Sequence, residues 1–534
     1  MSNVTSIETD VLIIGAGITG TMVAAKLSEE RDVNILVVEA GEQTTPLDER
    51  FAMRERFLKY GDNPWKRDRV PTHDMPVGAN SPAMSIGGWA MHWGAVVPRF
   101  SPEDFRLKSI YGVHDDWPID YDDLEPYYED AERRIGSAGE QGPPEMDARR
   151  APYPLPAMPL NWSLARLKTI GESAGIPFVA NPIAKNTVAY DGRSACLRCD
   201  TCGICPTGAK YSPEYTLQAL LDRGKATLRS RTLVRRLVVD PVSGRISHLE
   251  ALDRDRNEAL RIKATSFVLA TGYVWSPHLL LLSADKEHPK GLANSSGLVG
   301  KHMSWHWPTY GNISLPLQLY PGENDHHSVV SWSFQRKRDL GKFLRHDLRI
   351  WNSTQGLEPR LRDDSGRMLV GDDMLRDWRA RTNGNGAATV RGYYEVVGAK
   401  DSGITLSTRN RNQWGDPLPE INFRESQVSR DLRNHSVASL GSVFARIARA
   451  GDGKVIRDAY VNQLYDHPGG GCRMGDDPAT SVTDSYGRTH DHENLFVVGA
   501  PTMVSAGCNN GTLTYSALSL RSAEKIGEAF PRLA

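Results

Sequence analysis

The amino-acid sequence predicts an α/β fold with a parallel sheet at its N-terminal end. Residues 11–14 form a continuous apolar run, which is typical of a parallel strand buried on both faces. A glycine-rich turn and a helix follow, and a second apolar strand, residues 35–38, comes after the helix. Because 534 residues exceed what one compact core organises, we also expect two or more domains.

The glycine-rich turn carries the spacing of a dinucleotide site. Gly15 permits the turn, Gly17 lets the backbone approach a pyrophosphate, and Gly20 lets the helix pack closely on the strand. The helix N-terminus offers N–H groups to the phosphates. Glu39, nineteen residues after Gly20, is placed to bind a ribose diol and would repel a 2′-phosphate. FAD or NAD is therefore expected rather than NADP, and no second such motif provides a nicotinamide site.

Four of the six cysteines stand at every third position: Cys196, Cys199, Cys202 and Cys205. A disulfide framework would staple only one short loop of a large chain. Zinc sites use two C-x2-C pairs separated by a long loop, which is missing here. The uninterrupted run is closer to that of bacterial ferredoxins, although its last spacing differs. We therefore predict an iron–sulfur cluster, 3Fe-4S or 4Fe-4S, with zinc or structural thiols as the alternatives.

Composition narrows the classes of partner. Lys and Arg number 64, Asp and Glu number 65, and neither sign forms a long block, so no nucleic-acid partner is expected. No apolar run is long enough to cross a bilayer, so direct membrane insertion is not expected either. Residues 1–10 lack the pattern of a signal peptide. We expect either cytoplasmic residence or export in the folded state beside a partner that carries the signal.

The C-terminal region supplies a family resemblance. YDHPGGGCRMG (465–475), HENLFVVGAP (492–501), GCNNGTLTYSALSLR (507–521) and SIGGWAMHWGAVVPRF (85–100) resemble motifs of the glucose-methanol-choline (GMC) family of FAD oxidoreductases. The resemblance covers nearly the whole chain. Within the family the sequence is most similar to the large, catalytic subunits of bacterial gluconate, glucose, fructose and glucoside 3-dehydrogenases. Several of those carry an iron–sulfur cluster.

The resemblance implies a fold of two parts. The first is a discontinuous, doubly wound, Rossmann-like FAD-binding domain, expected at residues 1–160, 206–310 and 455–534. The second is a substrate-binding domain with an antiparallel sheet backed by helices, expected at residues 311–454. Residues 186–215 are the expected iron–sulfur segment.

The resemblance also implies the catalytic pair. Oxidation of an alcohol requires removal of the hydroxyl proton while the carbon gives a hydride to flavin N5, and histidine is a suitable base near neutral pH. His467 occupies the position of the family's catalytic histidine, and Asn510 that of its partner. An amide at this place can donate a hydrogen bond to the substrate hydroxyl without competing for its proton.

Further cofactor contacts follow from the same motifs. Gly87 and Gly88 are expected to bring the backbone close to the isoalloxazine or the pyrophosphate. Gly499 and Ala500 belong to the C-terminal flavin motif. His92 stands where some relatives link the flavin covalently and others hold it non-covalently, so both forms of attachment remain open.

These residues together predict an FAD-dependent dehydrogenase that oxidises a secondary hydroxyl of a sugar or glycoside, with C3 of glucosides favoured. Electrons are expected to leave through the cluster to an external acceptor such as a cytochrome. A small subunit with an export signal is the expected partner, which implies periplasmic location by co-export, with the cytoplasm as the alternative. The rival functions are a pyranose-type oxidase with structural zinc and a non-redox, flavin-containing lyase or scaffold.

Overall fold

The structure is a computed structural model of the chain. Its described residues are 4–42, 49–60, 84–91, 93–320, 328–336, 345–354, 359–382, 386–399, 401–463 and 466–533. Within these ranges the chain forms two large sheets, each with helices packed against it, and the candidate site lies where the two parts meet.

Seven of the described strands form the first sheet: β1 (Thr5–Ile14), β2 (Ile35–Val38), β6 (Thr227–Arg229), β7 (Thr232–Val239), β8 (Ile246–Asp253), β9 (Glu258–Leu269) and β18 (Leu495–Val497). The order is β6-β2-β1-β9-β8-β7, with β18 beside β9. Pairs among β6, β2, β1, β9 and β18 are parallel, as the apolar runs predict. The strands β7, β8 and the first half of β9 pair antiparallel and extend one edge.

Helices cover both faces of the first sheet: α1 (Ile18–Glu30), α6 (Pro213–Asp222), α7 (Gly272–Leu282) and α10 (Thr512–Leu533). Val11 and Ile13 pack on one face in the same apolar cluster as residues of α1 and α10. Leu12 and Ile14 pack on the other face in the same cluster as residues of α7. Because successive strand residues point to opposite faces, four consecutive apolar residues satisfy both layers, which confirms the doubly wound arrangement.

A second sheet holds seven described strands: β5 (Val179–Ala180), β10 (Ser304–Leu315), β11 (Val329–Ser331), β12 (Leu348–Asn352), β13 (Gly386–Val397), β16 (Lys454–Val461) and β17 (Asp466–Gly469). All their pairings are antiparallel, in the order β16-β10-β13-β12-β11-β5 with β17 beside β10. Helices α5 (Trp162–Ser173) and α9 (Gln427–Ala450) bury one face through a shared apolar cluster. The other face carries polar residues toward the first domain.

The remaining described elements are short or peripheral: α2 (Arg50–Tyr60), α3 (Leu107–Tyr111), α4 (Tyr121–Ile135), α8 (Asp372–Thr382) and the paired strands β3 (Ala138–Gly139) with β4 (Leu155–Pro156) and β14 (Gly403–Arg411) with β15 (Pro417–Asn422). Asp120 caps α4 by accepting from the backbone N–H of Asp123. Searched over the described part of the chain, no helix combines the length and apolar character that a membrane span requires.

Sheet membership differs from the expected domain ranges for three strands. The strand β10 is continuous from Ser304, so residues up to 310 belong to the second sheet although the expected first domain ends there. The strands β16 and β17 also belong to the second sheet although the range 455–534 was expected in the first domain. These differences arise because a strand's neighbours, and not its sequence, decide the sheet that it joins. The domain ranges themselves stay predictions.

His278 of α7 should make folding stability depend on pH. Its Nε2 lies 2.8 Å from the carbonyl oxygen of Pro417, and burial lowers the pKa of the imidazole to about 4. The neutral ring is thus favoured in the folded state, so its contribution is complete above the unfolded-state pKa of about 6.5 and is lost as the pH falls from there toward 4. We expect a loss of about 3 kcal/mol over this window.

Denaturant unfolding at pH 7.5 and pH 4.5 measures this effect. In the variant His278→Gln, whose side-chain amide can still donate to the Pro417 carbonyl, the difference between the two pH values should shrink by most of that amount. An unchanged difference would show that the imidazole does not titrate on unfolding.

Candidate active site

The turn after β1 has the close contacts that the glycine spacing predicts. Gly15 has a φ of +106°, which favours glycine, and a Cβ there would lie 2.6 Å from the carbonyl oxygen of Ala270. A Cβ on Gly20 would lie 2.1 Å from the carbonyl oxygen of Gly15. Both positions therefore require glycine so that α1 can pack against the sheet.

Gly17 has a different environment, and it gives a structural test of the dinucleotide prediction. It is the N-cap residue of α1 without a side-chain cap, and a Cβ there would meet no atom within 4 Å. A Cβ on Gly88 would lie 3.5 Å from the Cα of Gly17, so the second predicted loop borders the same space. An open cradle at an uncapped helix N-terminus fits the pyrophosphate of FAD.

Glu39 lies directly beside this cradle. Its carboxylate accepts hydrogen bonds from the backbone N–H groups of Ala16 at 2.9 Å and Gly41 at 2.8 Å. Burial raises the pKa of the Glu39 carboxyl, and these N–H groups oppose that rise. Since each carboxylate oxygen can accept a second hydrogen bond, both oxygens retain capacity for hydroxyl donors such as those of a ribose.

Alanine substitutions at Gly20 and at Gly17 should affect different properties of the protein. In Gly20→Ala the new methyl group would meet the Gly15 carbonyl, so we expect folding stability to fall by roughly 1–3 kcal/mol, as for other overpacked sites. In Gly17→Ala the methyl group enters open space, so we expect the apoprotein to keep its Tm while FAD affinity falls. Thermal unfolding of the apoprotein and titration with FAD check both expected results. An equal loss of Tm in the two variants would contradict the assignment of Gly17 to an open cofactor cradle.

His467 lies on β17 at the boundary between the two parts of the fold. Its backbone has a φ of +47°, which is uncommon for a residue other than glycine and is found at functional sites. The hydroxyl of Tyr515 on α10 donates to the His467 carbonyl oxygen at 3.1 Å. The imidazole is half-buried.

Asn510, the predicted partner, does meet His467. The Nδ2 atom of Asn510 lies 2.9 Å from Nε2 of His467, and the amide oxygen of Asn510 accepts a hydrogen bond from Arg349. Burial, with the neighbouring Arg391, lowers the pKa of Arg349 to about 10, while Asp347 opposes the shift. The two residues of the predicted pair are therefore together, and their catalytic role stays a prediction.

His306 is a site residue that the sequence prediction missed. Its Nε2 lies 2.8 Å from Nδ1 of His467, and burial holds the pKa of His306 well below its usual range. The available signal is the alternation in Trp305-His306-Trp307, because adjacent strand residues point to opposite faces. Trp305 stacks on Phe423 with ring centroids 4.7 Å apart, so the tryptophans fill the core and the histidine faces the site.

Gly499 and Ala500 lie between helix α1 and the segment that follows β17. Gly499 has a φ of +80°, and a Cβ there would lie 2.4 Å from Cγ2 of Thr19 in α1. The carbonyl oxygen of Ala500 accepts from the backbone N–H of Gly470 at 2.9 Å. Gly87, at a φ of +88°, donates its N–H to the Ala16 carbonyl oxygen at 2.9 Å. The predicted cofactor residues thus surround one region.

His92 lies outside the described residues. The question of covalent flavin attachment at that position therefore stays a prediction.

The cysteine run forms one pocket. All six cysteines lie within the described ranges, and none of them forms a disulfide there. The pocket is lined by the four predicted ligands and by two lysines: Cys196, Cys199, Cys202, Cys205, Lys185 and Lys210. The backbone N–H of Lys210 donates to the sulfur of Cys205 at 3.2 Å, and that of Arg198 donates to Cys196 at 3.4 Å. Burial raises the pKa of the Cys196 thiol, and the N–H contact from Arg198 opposes that rise.

The two lysines make the pocket suitable for an anionic group. Lys185 is fully buried and Lys210 is 4% exposed. Nζ of Lys210 also donates at 3.1 Å to the carbonyl oxygens of both Met91, the last residue of a 3-10 helix that begins at Gly88, and Trp93. Buried ammonium groups are costly unless negative charge compensates them, and the thiolates of a bound cluster would supply that charge.

The four thiols are donors that either an iron–sulfur cluster or a zinc ion could use. Among the residues that the structure describes, no three His, Cys, Asp or Glu side chains converge as ligands of one ion. The cluster and its zinc alternative therefore both stay predictions.

Family models match both halves of the chain. Two models with the same description, GMC oxidoreductase, match residues 113–308 and 399–519. The fructose dehydrogenase large subunit of Gluconobacter japonicus is 30% identical over 98% of this chain and 99% of its own length. The 6'''-hydroxyparomomycin C oxidase of Streptomyces lividus is 29% identical over 97% of this chain and 91% of its own length.

Solved structures confirm the fold. The crystal structure of pyridoxine 4-oxidase from Mesorbium loti aligns with a TM-score of 0.63 at 19% identity, covering 97% of this chain and 98% of the other. A formate oxidase structure aligns with a TM-score of 0.65 at 14% identity over the full length of both chains.

Proposed function

Because the chain belongs to the GMC oxidoreductase family, we propose that it is a dehydrogenase that oxidises a secondary hydroxyl of a sugar or glycoside to a ketone, with C3 of glucosides tested first. Like the family, it is an FAD-dependent oxidoreductase acting on CH–OH groups. The sugar assignment draws on the likeness to a fructose dehydrogenase large subunit. The observation that carries the proposal is the contact of His467 with Asn510 beside the glycine cradle.

His467 and Asn510 have different roles in the proposed reaction. Nε2 of His467 accepts from the Asn510 amide, and a substrate hydroxyl that displaces the amide from this lone pair would give its proton to Nε2. The Asn510 amide can donate to the same hydroxyl oxygen and hold it in place. The strained backbone of His467, held by Tyr515, fixes the ring direction. FAD, when bound at the cradle, supplies the hydride acceptor.

The cysteine pocket supports a dehydrogenase rather than an oxidase. Four thiols, N–H donors to two of them and two buried lysines suit an iron–sulfur cluster. Such a cluster would supply a one-electron exit beside the flavin, which an enzyme that passes both electrons to oxygen does not need. Lys210 connects the pocket with the Met91 and Trp93 carbonyls, so the two redox sites would share a rigid neighbour.

The proposal includes partners outside the chain. One relative is named as the large subunit of a fructose dehydrogenase, which implies a further subunit in that enzyme. We propose for this chain a small subunit that carries an export signal, a cytochrome as acceptor, and periplasmic location by co-export. Co-expression with and without the neighbouring reading frames, followed by cell fractionation, checks this; the chain in the cytoplasmic fraction under both conditions would contradict it.

An anaerobic titration tests the function. Purified holoenzyme is mixed with methyl glucoside, glucose, fructose and gluconate while the flavin absorbance is followed, and iron and labile sulfide are measured on the same sample. We expect rapid bleaching by one sugar class, with iron and sulfide present. Product analysis identifies the oxidised carbon.

Other outcomes identify the rival functions. Peroxide formed in air in stoichiometric yield, with zinc in place of iron, would indicate an oxidase. A flavin that stays yellow with every sugar would indicate a non-redox role.

A further inference from the structure

The catalytic pair lies in the middle of a hydrogen-bond chain of four side chains. Arg349 on β12 donates to the amide oxygen of Asn510, whose Nδ2 lies 2.9 Å from Nε2 of His467. On the other side of the ring, Nδ1 of His467 lies 2.8 Å from Nε2 of His306 on β10. Each of the four side chains comes from a different strand or loop, so this hydrogen-bond chain forms only in the folded protein.

The donor and the acceptor of every hydrogen bond among these four side chains follow from the chemistry of Arg349. A guanidinium has five N–H donors and no acceptor, so the atom of Asn510 that faces Arg349 must be the oxygen. The amide nitrogen of Asn510 must then face His467 and donate to Nε2. Since Nε2 accepts, the proton of the neutral ring is on Nδ1, which donates to Nε2 of His306. The alternative tautomer would place two N–H groups against each other at Nε2.

The surroundings of Arg349 and His306, the two ends of this hydrogen-bond chain, keep Arg349 a donor and His306 an acceptor. Arg349 is buried, and its Nε lies 2.7 Å from the Asp347 carboxylate, which also binds Arg391 at 2.7 Å. His306 is fully buried, and the Gly507 backbone lies against its ring. A buried imidazole remains neutral and can therefore accept a hydrogen bond, whereas an imidazolium could not.

We propose that Arg349 and His306 are positioning residues that fix His467 in the Nδ1–H tautomer, so that Nε2 carries the lone pair that accepts from Asn510 here and would take the proton of a substrate hydroxyl once the substrate displaces the amide. The inference rests on the proposed function for its catalytic consequence, and on the four side chains alone for the tautomer. Arg349 acts through Asn510 by orienting the amide, and His306 acts directly on the opposite ring nitrogen.

Nitrogen NMR of the holoenzyme tests the tautomer without any substrate. Histidines are labelled with ¹⁵N, and the His467 signals are assigned by their loss in His467→Gln. We expect a protonated, pyrrole-type Nδ1 and an unprotonated, pyridine-type Nε2 in the wild-type protein. A wild-type ring with the proton on Nε2 would overturn the proposal, whether or not any sugar reduces the flavin.

Matched variants test the two positioning residues. His306→Gln keeps an acceptor for the Nδ1–H group, whereas His306→Leu removes it. Arg349→Lys keeps a donor for the Asn510 oxygen, whereas Arg349→Met removes it. We expect the Leu and Met variants to show mixed tautomers and flavin reduction slowed by roughly 10²-fold with little change in KM, and the Gln and Lys variants to recover part of the rate.

The outcomes separate this proposal from the proposed function. Wild-type tautomers and rates in both His306→Leu and Arg349→Met would overturn the positioning role. Equal losses in the conservative and the non-conservative variants, with unchanged tautomers, would also overturn it, because they would indicate a merely structural role. Failure of every sugar to bleach the wild-type flavin would refute the function and leave the NMR result as the test of the tautomer.

Discussion

Replacing His467 with alanine is expected to leave FAD bound while it slows reduction of the flavin by substrate roughly 10²–10⁴-fold, the usual contribution of a positioned base. The cradle at Gly17 and the Glu39 carboxylate lie on another element and do not depend on the imidazole. Stopped-flow bleaching under anaerobic conditions measures the rate, and the absorbance ratio of flavin to protein measures occupancy.

A second histidine provides the control for this variant. His288 is half-buried and pairs with Asp285 at 3.0 Å, away from the catalytic pair. His288→Gln should bleach at the wild-type rate. Near wild-type bleaching in His467→Ala would remove the catalytic assignment, and loss of FAD in that variant would show that the ring also supports the cofactor site.

Replacing Cys202 with serine is expected to remove most of the iron, from about three or four atoms per chain toward none, while FAD is retained. Cys202 lines the pocket together with the other three thiols, and a serine hydroxyl is a poor ligand for iron in this sulfur-rich site. Metal and labile-sulfide analysis measures the loss. Turnover with a cytochrome should fall, whereas anaerobic bleaching by the sugar should persist.

Cys472 offers a matched comparison. It is buried and lies outside the cysteine pocket, so Cys472→Ala should keep its iron and its turnover with the acceptor. Wild-type protein that contains zinc, or neither iron nor sulfide, would refute the cluster. Iron retained at the wild-type level in Cys202→Ser would indicate that this thiol is not a ligand and would leave three cysteines for the cluster.

The sequence was most informative where neighbouring residues carry the whole signal. The nucleotide turn could be predicted because strand, glycines and helix are contiguous, and each glycine has the contact or the open space that its position implies. The catalytic pair was predicted from motifs at residues 467 and 510, and the structure brings the two side chains together.

The sequence was least informative where the sheet that a strand joins depends on a pairing partner far along the chain. The strands β10, β16 and β17 join the second sheet from both sides of the expected domain boundaries, because strand pairing is decided between distant segments. The antiparallel strands at the edge of the first sheet could not be read from the apolar runs for the same reason.

The sequence by itself determined the cofactor class and the group of four thiols, and it predicted His467 as the base, since each is encoded within a short run of residues. Only the tertiary structure decided how that base is held. His306 and His467 are 161 positions apart, as are Arg349 and Asn510. Strand alternation gives the face on which a side chain lies, but the register and order of strands in the folded sheet determine which other side chain it meets.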